Sequence, residues 1–406
     1  MEGESMSEWK EVRLGDICNI FGRIGFRGYT INDLVSSKDE GAISLSPTNI
    51  IDGEINVDKC SYISWNKYYE SPEIMIFKND ILIVKTGSSY GRTALVKEVK
   101  HQMTINPQFV VLKNININPI YLSYYIKSKT FQNQISSIVV GSAIPTLSQK
   151  NLANLYLKIQ GSQTQQEIAG ILSSLDAKIE TNNKLNEKME EMAQAIFKSW
   201  FVDFEPFKDK PFHETELGMI PEGWEVGSLS DIATITMGQS PCGTSYNENG
   251  EGIIFYQGRT EFGFRFPSIR LYTTAPSRFA EVGSTLMSVR APVGDINMAL
   301  LRCCIGRGVA SIKSNCDCDS YIYYLMKSLK KRFDIYNGEG TVFGSVGRDT
   351  LRGLLITIPP SSVISDFEMN ISKIDSRIKT NELESQRLAS LRDTLLPRLM
   401  SGELIV

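Results

Sequence analysis

Histidine is nearly absent. His101 and His213 are the two in 406 residues, which leaves imidazole-based metal binding or acid–base chemistry little to work with. Cysteine is present without a pattern: seven residues, an odd number, lie unevenly along the chain. That is no disulfide framework, and it fits a reducing, cytoplasmic setting. No stretch approaches the roughly 18 apolar residues of a membrane span. The opening MEGESMSEWK is polar and acidic, unlike a secretory signal. A positive excess is missing as well: net charge is −3, whereas free-standing nucleic-acid binders are often strongly basic. A subunit whose partners supply phosphate contacts needs no such excess.

Enzyme signatures are equally scarce. No glycine-rich loop is followed by the Gly-Lys-Ser/Thr of a nucleotide site. Cys303 and Cys304 are adjacent and Cys316 and Cys318 form C-x-C, which is not the spacing of a zinc finger or ribbon, so no metal is expected. Asn106-Pro107-Gln108-Phe109 is one proline short of the Asn-Pro-Pro-Phe of amino-methyltransferases, and no glycine-rich S-adenosylmethionine loop precedes it. It reads as a turn entering a strand.

What the chain does contain is a duplication. Leu175-Asp176-Ala177-Lys178-Ile179-Glu180-Thr181-Asn182 returns as Ile374-Asp375-Ser376-Arg377-Ile378-Lys379-Thr380-Asn381, offset by 199 residues. The same offset relates Gly141-Ser142-Ala143 to Gly340-Thr341-Val342, and Leu152–Ile159 to Leu351–Ile358. Upstream the offset grows to 215, between Trp9 and Trp224, so the first copy carries 16 extra residues before Gly141. Differing middles on a shared frame suit two recognition modules with different targets.

Within each half, the β-branched runs Ile81–Val84, Phe109–Leu112 and Leu354–Ile358 predict buried strands. The segments from Pro119 and Ser320 predict short amphipathic helices. The class is α/β or α+β. Each half then ends in a helical pattern of nearly 40 residues, about 60 Å long. The first is expected to open on a Thr164/Glu167 capping box and the second, after Pro359-Pro360, on Ser365/Glu368. Ile168, Ile171, Leu175, Leu185, Met189, Met192 and Ile196 trace a coiled-coil seam on the first, with Lys178 and Asn182 at the two remaining seam positions. The second uses Ile371, Ile374, Ile378, Leu388, Leu391, Leu395 and Leu399, has Pro397 in its last turn, and ends at Ser401-Gly402 with a left-handed glycine cap. Asn182 and Asn381 are repeat-equivalents on the seam, where a buried amide sets helix register at a cost in stability; a plain helix-surface role is the alternative.

Two such helices can pair antiparallel, leaving their domains related by a pseudo-twofold axis. Duplex DNA has matching backbone symmetry, so such a protein would read two half-sites in opposite orientation. Unlike domains imply unlike half-sites, giving an asymmetric bipartite target.

Four segments carry a resemblance over nearly the whole chain: IPEGWEVGSLSDIA from Ile220, the run from Gln165 through Phe207, SVRAPVGD from Ser288, and LRDTLLPRLMSGEL from Leu391. The chain resembles the specificity subunits of type I restriction–modification systems. The resemblance implies two target recognition domains (1–160 and 206–360) and two spacer helices (161–205 and 361–406). It implies double-stranded DNA, two methyltransferase subunits and restriction/translocase subunits as partners. It also implies no chemistry or cofactor in this chain, with S-adenosylmethionine, Mg2+ and ATP acting in the partners. The first half departs from the pattern, having VKTGSSYGR where the second has SVRAPVGD. A stand-alone nuclease or methyltransferase, and a purely structural coiled-coil scaffold, are the competing readings.

Candidate DNA contacts follow from residue chemistry. Lys85, Thr86, Ser88, Ser89, Tyr90 and Arg92 lie in the VKTGSSYGR turn, whose small residues permit close backbone approach; a glycine-rich hairpin turn is the bland alternative. In the second half Arg290 occupies the matching loop, and Arg259, Thr260 and Arg265 lie in the aromatic-rich YQGRTEFGFRF. Arginine is the commonest bidentate reader of guanine. Ser142, Thr341 and Phe343 belong to the recurring glycine loops, which read equally well as turns that close each domain.

Overall fold

The computed structural model describes residues 9–23, 25–51, 53–138, 146–337 and 344–406. The principal elements of the first half are β1 (Lys10–Arg13), β2 (Asn19–Phe21), β3 (Gly41–Leu45), β4 (Ser61–Ser64), β5 (Ile81–Val84), β6 (Thr93–Leu95), β7 (Met103–Ile105), β8 (Phe109–Lys113), helix α1 (Pro119–Lys127), β9 (Tyr156–Ile159) and the long helix α2 (Ser162–Phe201). The second half repeats them as β10 (Glu225–Ser228), β11 (Ala233–Met237), β12 (Ile253–Tyr256), β13 (Leu271–Thr273), β14 (Phe279–Ala280), β15 (Thr285–Ser288), β16 (Ile296–Met298), β17 (Cys303–Ile305), β18 (Val309–Ser314), α3 (Asp319–Ser328), β19 (Leu355–Ile358) and the long α4 (Ser361–Ser401).

Each half holds an antiparallel four-stranded sheet, in the order β2-β8-β5-β6 in the first and β11-β18-β15-β16 in the second. Each also holds a second sheet built on a parallel pair, β3 with β7 and β12 with β17. A closing pair joins the first and last strands of each half, Lys10 opposite Ile159 and Glu225 opposite Ile358.

The uninterrupted apolar run in β5 has a simple cause. Side chains alternate faces along a strand, and both faces of β5 are covered. Ile81 and Ile83 join Val110, Leu112 and Tyr121 in one core. Leu82 and Val84 join Phe109, Val111 and Ile105 in another. Each fully buried residue of this kind contributes about 1.5–3 kcal/mol. The expected helices from Pro119 and Ser320 are α1 and α3. Asn118 caps α1 by accepting from the amides of Ile120 and Tyr121, and Pro119, with no amide to orphan, follows it.

The chain forms two compact units, Met1–Ile179 with Gln386–Val406, and Glu180–Ser385. Both long helices, of 40 and 41 residues, are divided between them. In the first unit the end of the chain completes the core of its beginning. Leu399 and Met400 pack with Leu14, Leu157 and Ile168, and the Gln160 amide donates to the Leu399 carbonyl at 2.9 Å. Gly402 adopts φ 76, the expected left-handed cap. A Cβ there would also lie 2.6 Å from the Trp9 ring, so glycine is needed for space as well.

In the second unit α2 and α4 run antiparallel. The Asn182 amide donates to Ser385 and to the Asn381 carbonyl, both at 3.4 Å, and to Glu384 at 2.8 Å. The Asn381 amide donates to Asn186 at 2.9 Å. Both Asn182 and Asn381 are fully buried, so the helix-surface alternative is excluded. Toward the C-terminal end of α2, Phe197, Phe201, Tyr321 and Phe367 pack edge to face, and Trp224 lies tilted against Phe201.

Two expectations about the helices are corrected. Neither capping box forms, because α2 starts at Ser162 and α4 at Ser361. Glu368 instead accepts from the amides of Ser320 and Tyr321, capping α3 across the unit. The buried stripe of α2 also differs from the apolar seam. Ile168 and Leu172 are buried in the first unit while Ile171 is exposed. Asn182, Asn186, Glu190, Ala193 and Phe197 are buried in the second while Leu185 and Met192 are exposed, and Lys178 is exposed too. On the α4 face Ile371, Ile378 and Leu399 are buried and Ile374, Leu388 and Leu395 half-buried; Leu391 is exposed. Cys303 and Cys304 are buried in β17, and Cys316 and Cys318 sit just before α3. No helix among the described residues is long and apolar enough to cross a membrane.

Candidate nucleic-acid interface

In the first unit the VKTGSSYGR segment is the β5–β6 hairpin. The Val84 amide donates to the Arg92 carbonyl and the Gly91 amide to the Val84 carbonyl, each at 2.8 Å. Gly87 and Gly91 take φ 90 and 81, a region glycine enters without steric cost. The stem is held from both sides: the Lys85 amide donates to Gln108 at 2.7 Å, and the Leu147 amide to the Lys85 carbonyl at 2.8 Å. Burial lowers the pKa of the Lys85 ammonium. Ser88 and Arg92 are exposed; Thr86, Ser89 and Tyr90 are half-buried. Tyr90 and Arg92 turn toward a cavity of about 770 Å³, shared with Tyr124, Lys127, Asp176 and Arg392. The expected turn at Asn106–Gln108 is an Asx turn, the Gln108 amide donating to Asn106 Oδ1 at 2.9 Å.

The second unit carries the matching hairpin between β15 and β16. The Ser288 amide donates to Asp295 at 2.9 Å and the Gly294 amide to Ser288 at 3.0 Å. Asn337 locks the loop, accepting from the Val293 amide and donating to its carbonyl. Arg290 is exposed, as are Arg259 and Thr260 on the turn after β12. Arg259 pairs with Asp295, which Lys330 also reaches at 2.9 Å. Arg259, Thr260 and Arg290 line one cavity of about 290 Å³ with Gln257, Ser240 and Arg307. Sequence reasoning missed Arg307. It stands alone in the β17–β18 turn, and its only local signal was the flanking Gly306 and Gly308.

Arg265 is corrected. It is fully buried and cannot meet DNA. Its guanidinium pairs with Glu190 and, at 2.8 Å, with Asp375; it donates to the Tyr324 hydroxyl at 2.6 Å and lies 4.1 Å from the Tyr323 ring centre. Burial opposes charge on Glu190, but Arg265 and Lys327 hold its carboxyl below the ordinary range. Nearby, burial pushes Glu382 up to about 7. The first unit has a simpler counterpart. Asp176, the repeat-equivalent of Asp375, accepts from Tyr124 and pairs with Arg392 at 2.6 Å. Ser142, Thr341 and Phe343 lie outside the described residues, with the glycine loops that contain them.

Fold and surface together define a two-module binding protein: one topology used twice, each copy presenting polar and basic side chains on hairpin and turn loops, tied to a pair of long helices. Residues 6–191 and 221–392 both match the type I restriction modification DNA specificity domain. The chain is 30% identical, over its full length and 95% of the relative, to a Methanocaldococcus jannaschii protein provisionally named as the type I restriction enzyme MjaX specificity subunit. It is 24% identical to the HindI specificity subunit of Haemophilus influenzae, covering 98% of this chain and all of the relative. A solved type I restriction–modification S subunit from M. genitalium shares the fold, with TM-score 0.59, 15% identity and 98% of each chain covered. The chain belongs to the type I restriction–modification specificity family, and its function is DNA sequence specificity.

Proposed function

We propose that this chain reads an asymmetric, bipartite DNA target, one unit per half-site, for a complex whose chemistry lies in other subunits. The observation that carries this is the pair of equivalent hairpins on one topology, armed with Lys85, Thr86, Ser88, Ser89, Tyr90 and Arg92 in one copy and with Arg290, beside Arg259 and Thr260, in the other. A shared frame with unlike loops reads unlike sequences.

Two methyltransferase subunits dock on the long helices. Exposed apolar side chains suited to this are Leu185, Met192 and Met369 in the second unit and Ile171 and Leu391 in the first. Restriction/translocase subunits join the assembly in the cytoplasm. S-adenosylmethionine, Mg2+ and ATP act in those partners, and this chain performs no catalysis. Asn182 and Asn381 set the helix register on which the half-site spacing depends.

The test is to express the chain with its methyltransferase and map modified adenines genome-wide. Two unlike half-sites separated by a fixed spacer are expected. An uninterrupted palindrome contradicts the reading, and methyl transfer by the isolated chain contradicts its non-catalytic role.

A further inference from the structure

The two units share backbone closely enough that side chains can be compared position by position. After the parallel strand pair, the Asn106 amide donates to Leu45 at 2.9 Å in the first unit and the Gly306 amide to Tyr256 at 2.8 Å in the second. Phe109 to Asn106 and Val309 to Gly306 repeat the next bond. Arg307 therefore stands where Pro107 stands. In the hairpins, Lys85 to Gln108 matches Val289 to Gly308, and Leu147 to Lys85 matches Val346 to Val289. Arg290 therefore stands where Thr86 stands, each making an antiparallel bridge, to Ser345 and Thr146. The first unit thus has no arginine at either position.

We propose that Arg290 and Arg307 read guanine in the half-site bound by the second unit, and that the first unit's half-site is read without arginine at the equivalent positions. This rests on the assignment of one half-site to each unit. Phosphates are common to both half-sites, so contacts to them can be the same in both copies. Contacts to base edges must differ when the half-sites differ, and these two positions change side chain while the backbone hydrogen bonds around them do not. The chemistry agrees. A guanidinium offers a planar fork of donors matching guanine O6 and N7 in the major groove. Both arginines are exposed, line one cavity with Gln257, and have no ion-pair partner among the described residues. Arg259, in the same cavity, is already held by Asp295.

The experiment uses the complete complex with its methyltransferase. The motif modified in vivo is mapped for the wild type and for R290Q and R307Q, and binding is measured on target duplexes carrying 7-deazaguanine, which lacks N7 but still pairs with cytosine. Each substitution is expected to relax one guanine of a single half-site and leave the other half-site intact. Removing the matching N7 is expected to weaken wild-type binding by about ten- to a hundredfold and to leave the corresponding variant unchanged. The 7-deazaguanine measurement needs no variant, so it stands even if a substitution disturbs folding. A bipartite wild-type motif that both variants keep, or uniform weakening on all sequences with the motif unchanged, overturns the inference alone; the latter would mark phosphate contacts. An uninterrupted palindrome in the wild type overturns the half-site assignment and the inference with it.

Discussion

Arg265 shows how one residue can look like a surface reader and be a core tie. Its neighbours Gly263, Phe264 and Phe266 suggest a loop, and its charge suggests exposure. The folded chain surrounds it with two carboxylates and two tyrosine rings. A buried charge is stable only when paired and hydrogen-bonded, and Glu190 and Asp375 supply the pairing from 75 and 110 residues away. Arg265→Ala removes the cation that pairs with both carboxylates, leaving Glu190 to Lys327 and Gln194, and Asp375 to the Tyr324 hydroxyl. The expected loss is about 3–5 kcal/mol, read as a lower midpoint in urea unfolding followed by tryptophan fluorescence. An unchanged midpoint would contradict the core role. Neither partner is close in sequence, so nothing local marked Arg265 as buried.

The long helices were legible as elements, since 40 residues without an internal break read plainly in the periodicity and in the Gly402 stop. Their buried face was not. Period alone gave a seam through Ile171, Asn182, Leu185 and Met192; the second unit buries Asn182 as that seam requires, but Asn186 and Glu190 in place of Leu185 and Met192. The polar stripe is inside because it meets complementary polar groups: Asn381 and Ser385 on α4, and Arg265 from the domain. The Oδ1 atoms of Asn182 and Asn381 have no hydrogen-bond partner among the described residues, a cost of about 1–3 kcal/mol each. Replacing both asparagines with leucine is therefore expected to raise the melting temperature while loosening helix register. The check is differential scanning calorimetry beside mapping of the modified motif. Higher stability with one unaltered spacer length would refute the register role.

At the scale of the whole molecule, the first unit is built from both ends of the chain. Leu399 and Met400 fill a core begun by Leu14, and Gly402 lies against Trp9. Truncation before Leu395 is expected to abolish hydrogen-exchange protection in β1, β9 and α1 while β15–β18 and α3 stay protected; uniform protection would contradict this. The amino-acid order by itself determined the duplication, the α+β elements, the two long helices, the turn at Asn106–Gln108 and the family resemblance. These depend on spacing and on residue type, which are local. Only tertiary structure decided that Arg265 is a core tie, that Glu368 caps α3, which face of α2 is covered, and that Arg307 joins Arg259 and Arg290 around one cavity. Each of these depends on which distant group fills the space beside a side chain, and no periodicity along the chain encodes that.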